Sequence, residues 1–162
     1  MNPERVDGPG FVAVNIAGTA ASPGLAQGAV AFVALPDLAS ATVVELARGP
    51  ATPAEELSAA GRHFAALGKH VERVLADPPG LVLGRILCQL VNEACFALGE
   101  GVGSAPDIDT AMRLGFNWPR GPFEWAQGIG AERTAATLDT LHHRLGEERY
   151  RVAPELRRLA AR

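Results

Sequence analysis

Histidines, cysteines and glycine pairs are the residues of this 162-residue chain that could carry metal, nucleophilic or phosphate chemistry. His63 and His70 stand apart from the other two histidines, His142 and His143. Adjacent residues on a helix point about 100° apart, so His142 and His143 cannot both face one ion. With His63 and His70 elsewhere in the chain, no metal site is expected. Cys88 and Cys95 sit in one apolar helical stretch. At about 1.5 Å rise per residue their Cα atoms lie roughly 10 Å apart, too far for a disulfide. They read as reduced core residues. Ser22 has no nucleophile context and Ser104 reads as a helix cap. A dinucleotide site needs a glycine-rich turn that leaves a strand and opens a helix, so that backbone N–H groups meet the pyrophosphate. Gly8 and Gly10 precede a strand, and Gly99, Gly101 and Gly103 follow a helix. The first pair reads as a loose N-terminus and the second group as a helix stop. No cofactor is expected to bind this chain.

The elements that must position any site fall into two groups. Residues 1–10 read as a flexible lead. Short apolar runs at 11–18, 28–36, 41–47 and 70–76 read as strands, with a small, turn-rich segment at 20–28. The run 28–36 is continuously apolar, as in a strand covered on both faces. Thr52, Pro53 and Glu55 suggest a capping box for a helix that runs to Leu67 and closes at Gly68. DPPG at 77–80 turns the chain into a long helix over 81–100. Further helices are expected at 105–114, 122–127, 131–145 and 154–161, with Ser104 and Asp107 capping the first of them and Gly115 ending it. The fold class is therefore α/β plus all-α. A small mixed sheet with a helix occupies residues 1–78, and a helical domain occupies 79–162.

A chain with 48% hydrophobic and 20% charged residues is a folded globular protein. Its net charge is −3 with scattered basic residues, which gives nucleic-acid binding no electrostatic support. No stretch reaches transmembrane length and MNPERVDGPG lacks a signal-peptide pattern, so a cytoplasmic protein without membrane association is expected. The helix 81–100 is apolar over a wide arc: Leu81, Val82, Leu83, Ile86, Leu87, Leu90, Val91, Cys95, Phe96 and Leu98. Together with Phe116, Trp118, Phe123 and Trp125 it would make a patch larger than soluble monomers usually expose. A homodimer built on the helical domain is the expectation.

The stretch DIDTAMRLGFNWPRGPFEW resembles the signature of the C-terminal helical domain of the 3-hydroxyacyl-CoA dehydrogenase family. VNEA at 91–94 and EGV at 100–102 sit where that family has its own versions. Upstream, VVELARGPAT (43–52) and ALGKHVERVLADPPGLVLGRIL (66–87) resemble the junction between its nucleotide-binding and helical domains. The tail GEERYRVAPELRR is closest to the second, degenerate repeat of two-repeat bacterial enzymes that oxidise 3-hydroxyadipyl-CoA or 3-hydroxybutyryl-CoA. The resemblance implies a reduced Rossmann-like unit followed by a helical domain that closes over acyl-CoA and forms much of a subunit interface.

The family's reaction takes NAD and uses a histidine as base for the 3-hydroxyl, a glutamate that holds the histidine's charge state, a hydroxyl-bearing side chain and an asparagine. Along the match the glutamate falls on Glu45, the histidine on Val33 and the asparagine on Gly84, before Arg85. Valine accepts no proton, so Glu45 reads as a relic or an ordinary charge at a strand edge. Arg113, Arg120 and Arg133 could meet a CoA phosphate, though each is by default a solvated charge. Three functions stay open. The chain is a helical module supporting 3-hydroxyacyl-CoA oxidation in fatty-acid or aromatic-acid degradation, beside a separate nucleotide-binding catalytic chain or within a longer enzyme. Or it is a self-sufficient acyl-CoA enzyme using Glu45. Or it is a structural oligomer without ligand.

Overall fold

A computed structural model describes residues 5–15, 28–75 and 79–161. The chain falls into two compact units, Met1–Gly84 and Arg85–Arg162. The sequence boundary after residue 78 lies ahead of this division, because the segment before Arg85 is hydrogen-bonded back to the sheet.

The first unit holds strands β1 (Arg5–Gly8), β2 (Phe11–Asn15), β3 (Val30–Val33), β4 (Val43–Arg48) and β5 (His70–Val74), with helix α1 (Ala54–Ala66) between β4 and β5. The sheet order follows the chain, β1-β2-β3-β4-β5. Pairing alternates: β1·β2 and β3·β4 are antiparallel, β2·β3 and β4·β5 parallel. This is the small mixed sheet that the strand runs imply. The flexible lead is a misreading: Arg5–Gly8 is a strand that pairs with β2 across a turn at Pro9–Gly10, where Gly10 takes φ 75°. Ladder hydrogen bonds need no apolar side chains, so a polar edge strand leaves little trace in a hydropathy pattern. Residues 16–27, which include Ser22 and most of the turn-rich segment, lie outside the described residues, as do 76–78.

Strand alternation divides the side chains between two faces. Val30, Phe32, Val44 and Leu46 pack under α1 with Ala60 and Phe64, and the Phe32 and Phe64 rings lie 5.4 Å apart. Ala31, Val33, Glu45 and Ala47 take the opposite face and are also buried. Burial on both sides explains why these strands read as unbroken apolar runs. The capping box at Thr52 does not form. Pro53 is the cap of α1 without a side-chain bond, and the buried Thr52 hydroxyl donates instead to the Ala29 carbonyl at 2.7 Å. Closing the turn from β4 satisfies a buried acceptor, whereas the first amides of α1 can be satisfied by water.

The second unit comprises α2 (Leu83–Gly99), which starts two residues before the division, then α3 (Ala105–Phe116), α4 (Pro122–Ile129), α5 (Ala131–Leu145), a 3-10 turn (Glu148–Tyr150) and α6 (Pro154–Ala160). Ser104 caps α3, its hydroxyl oxygen accepting from the Asp107 amide at 3.4 Å. Gly115 does not stop this helix. It continues to Phe116 and ends on Asn117, which holds the left-handed conformation at φ 54°; asparagine tolerates that region. The core gathers Cys88, Val91, Cys95, Phe123, Leu138, Leu141, Tyr150 and Leu156. Burial pushes both thiols up to about 11, Cys88 against lowering by the Thr137 and Thr134 hydroxyls, Cys95 with help from the Glu155 charge. Both stay protonated and inert at neutral pH.

Candidate functional site

Glu45 sits on β4, which β3 and β5 flank on either side, so it is not at a strand edge. Its side chain points away from α1 and is 8% exposed. The carboxylate accepts from the Val82 amide at 3.1 Å and from the Leu83 amide at 2.9 Å. These are orphan donors at the start of α2, and a carboxylate there satisfies them and complements the helix dipole. The chain reaches this position through Gly80 and Leu81, at φ 74° and φ 49°. A left-handed leucine costs about 1–2 kcal/mol. Full burial of Leu81 and the two bonds to Glu45 offset that strain.

Val33 lies directly opposite Glu45 in the antiparallel β3·β4 register. Gly84, in the first turn of α2, is buried, and a β-carbon placed on it would meet Val33 Cγ1 at 3.8 Å. The three positions to which the resemblance carries the base, its carboxylate and the asparagine thus converge on one face of the sheet. Only Glu45 among them can titrate. Glu72 pairs with it across the parallel β4·β5 register, and His70 lies 2.7 Å from Glu72. Loss of water around Glu45 holds its pKa above the usual carboxylate value; the Leu83 and Val82 amides pull the other way and the Glu72 charge adds to the rise.

An acid with a raised folded-state pKa binds its proton more tightly when folded. Its protonation-linked stability is fully present below the ordinary glutamate value of 4.5 and is lost as pH rises through the folded value. Stability of the first unit is therefore expected to rise on acidification through that window, and Glu45→Gln to remove this component. Urea midpoints for both proteins between neutral pH and pH ~4.5 give the check. Identical pH profiles would show that Glu45 ionises as freely folded as unfolded.

The other sequence candidates serve structure. Arg113 pairs with Glu124, whose second oxygen accepts from the Gly121 amide at 2.8 Å. Arg120 lies over the Trp125 ring, 5.6 Å from its centroid, and Arg133 is half-buried on α5. His63 packs edge-on to Phe64 and His142 faces Glu148 at 3.8 Å. Among the described residues no group of three His, Cys, Asp or Glu side chains could hold a metal. Two sets of polar residues were not singled out from the sequence. Asp109 is buried and accepts from the Phe123 amide at 2.7 Å, fixing the start of α4. Arg85, Gln89 and Asn92 form a polar stripe on α2 that holds the segment after α5. Arg85 donates to the Tyr150 hydroxyl, Gln89 to the Arg149 carbonyl, and Asn92 to the Arg151 carbonyl, while Asn92 also accepts from the Ala153 amide. Their spacing of four and three was the available signal.

The strand–helix turn that the structure describes in full does not suit a dinucleotide. The strand–helix–strand unit β4–α1–β5 makes its first turn through Gly49, Pro50, Ala51, Thr52 and Pro53. Two prolines remove amides where a pyrophosphate cradle needs them.

The model of the 3-hydroxyacyl-CoA dehydrogenase C-terminal domain matches residues 80–162, just over half of the chain. The chain belongs to the 3-hydroxyacyl-CoA dehydrogenase family. It is 40% identical over 124 residues to 3-hydroxyadipyl-CoA dehydrogenase of Escherichia coli K12, a match covering 76% of this chain and 26% of that protein. It is 41% identical over 114 residues to 3-hydroxybutyryl-CoA dehydrogenase of Bradyrhizobium diazoefficiens, covering 70% of this chain and 39% of the relative. The crystal structure of 3-hydroxybutyryl-CoA dehydrogenase from Escherichia coli K12 superposes with a TM-score of 0.82 at 32% identity, over 98% of this chain and 33% of that one. The chain thus spans between about a quarter and two fifths of these relatives. Within the 3-hydroxyacyl-CoA dehydrogenase family, the signature stretch from Asp107 to Trp125 is the α3–α4 corner that Asp109, Arg113 and Glu124 hold together.

Proposed function

We propose that this chain is a non-catalytic module of a 3-hydroxyacyl-CoA dehydrogenase. It would support NAD-dependent oxidation of 3-hydroxyacyl-CoA in fatty-acid or aromatic-acid degradation, in the cytoplasm, by dimerising and by closing over acyl-CoA. The nucleotide-binding, proton-abstracting part would be a separate chain or another region of a longer one. The observation that carries the reading is Val33 opposite Glu45, with Gly84 against Val33. Where the resemblance puts a base and an asparagine, this chain carries groups without proton chemistry, close to Glu45 on one face of the sheet. The tail's likeness to a second, degenerate repeat supports the same reading. Glu45 is then a helix anchor and not an acid–base group. Calorimetric titration tests this: the isolated chain is expected to bind acetoacetyl-CoA and not NADH. A micromolar NADH complex, or turnover of NADH with acetoacetyl-CoA by the chain alone, would overturn it.

The dimer rests on a narrower surface than the sequence suggests. Leu81, Leu87, Val91, Cys95 and Phe123 are all buried. In the second unit Ile86, Val102, Leu114 and Phe116 are left 54%, 73%, 81% and 65% exposed. The Phe116 and Trp118 rings lie 5.5 Å apart at the end of α3. Covering such groups favours association at about 25 cal/mol per Å² before entropy costs. Sedimentation equilibrium at tens of micromolar chain is expected to show a dimer, and Phe116→Ser to weaken it with helical content intact. A persistent 16.9 kDa monomer would sink the idea.

A further inference from the structure

A cavity lies on the other face of the sheet from Glu45. It has a volume of about 610 Å³ and is bounded by Arg48 and Pro50 after β4, Leu57 and Ser58 of α1, and Arg73 of β5. Leu46 and Arg73 are register partners across β4·β5, and Arg48 follows Leu46 by two residues. Side chains alternate with a period of two, so both guanidinium groups project on the α1 side of the sheet from neighbouring strands. Arg73 Nη2 runs along α1, 3.7 Å from the position a β-carbon on Gly61 would take.

Among the described residues the charge here is uncompensated. Arginines that line grooves of the second unit are each answered by a carboxylate: Arg149 by Glu147 at 3.1 Å, Arg151 by Glu148 at 3.8 Å and Arg158 by Glu155 at 2.7 Å. Among the described residues Arg48 and Arg73 have no such partner, and no acid lines the cavity. Glu55 and Glu56 belong to the first turn of α1 but are not part of the wall. Two guanidinium groups lining one cavity repel one another until an anion joins them, and their planar forks match phosphate oxygens in a way that an ammonium does not. Beside them Leu57 and Pro50 offer apolar wall, which free phosphate would leave wet.

We propose that this cavity binds a phosphate monoester that carries an apolar group, with Arg48 and Arg73 on the phosphate and Leu57 and Pro50 against the rest. The site is independent of the function proposed above, since it uses the opposite face of the sheet and none of the same residues. Phenyl phosphate is a suitable probe, followed by amide chemical shifts of the full chain. Saturable shifts are expected at Arg48, Gly49, residues 54–58 and Arg73. R48A/R73A should weaken binding by about tenfold or more, and R48K/R73K should weaken it less. Absence of saturable shifts there, or an affinity unchanged in R48A/R73A, would overturn the site. Inorganic phosphate binding as tightly as phenyl phosphate would overturn the monoester and show that charge alone is read.

Discussion

Replacing Gly121 by alanine is expected to destabilise the second unit by about 3 kcal/mol, the upper range for overpacking a closed site. An added β-carbon would fall on the carboxyl group of Asp109. Asp109 cannot yield, because it is buried and bonded to the Phe123 amide. A shift that makes room would therefore break the start of α4 as well. Urea denaturation measures the loss. The cause is checked by coupling: on an Asp109→Gly background, which removes the Asp109 β-carbon as well as its carboxyl group, Gly121→Ala should cost far less than on the wild type. Equal costs on both backgrounds would place the effect in the backbone of Gly121 and not in its neighbour.

Asn92→Ala is expected to cost about 2–4 kcal/mol. It leaves the Arg151 carbonyl and the Ala153 amide without their partner, and each orphaned group in a buried setting costs about 1–3 kcal/mol. The damage should be directed. Limited proteolysis is expected to cut first between Gly146 and Pro154, where the 3-10 turn depends on α2 for its backbone partners. Cleavage that begins elsewhere would mean that the stripe on α2 is dispensable for holding this segment.

Much of the fold can be read along the chain because its cues are local. The start of α5 after Gly130 and its end before Gly146, the Ser104 cap and the apolar strand runs all depend on neighbours within a few residues. What could not be read depends on partners far away. Glu45 meets Val82 and Leu83 across 37 and 38 positions, so its role as a helix anchor has no local mark. Thr52 carried a convincing local cue and was drawn off it by the Ala29 carbonyl, 23 positions upstream. β1 escaped because its pairing is made by backbone, and its side chains Arg5 and Asp7 bond to one another. At the candidate site, the resemblance supplied the positions Val33, Glu45 and Gly84, and only the β3·β4 register and the first turn of α2 bring them together.

The polar stripe on α2 also sets a timetable for biosynthesis. Arg85, Gln89 and Asn92 leave the ribosome long before Arg149, Tyr150, Arg151 and Ala153, to which they bond across 59 to 65 positions. At about 5–20 residues per second, roughly 3–12 s separate the synthesis of the stripe from that of its partners. During that interval the first helix of the second unit carries side chains meant for a segment not yet made. The first unit, whose last tie is the Glu45 bond to Leu83, can close well before then. A nascent chain halted between these two points would hold a finished sheet beside an open helical half, and that open half is the form that chaperones would meet.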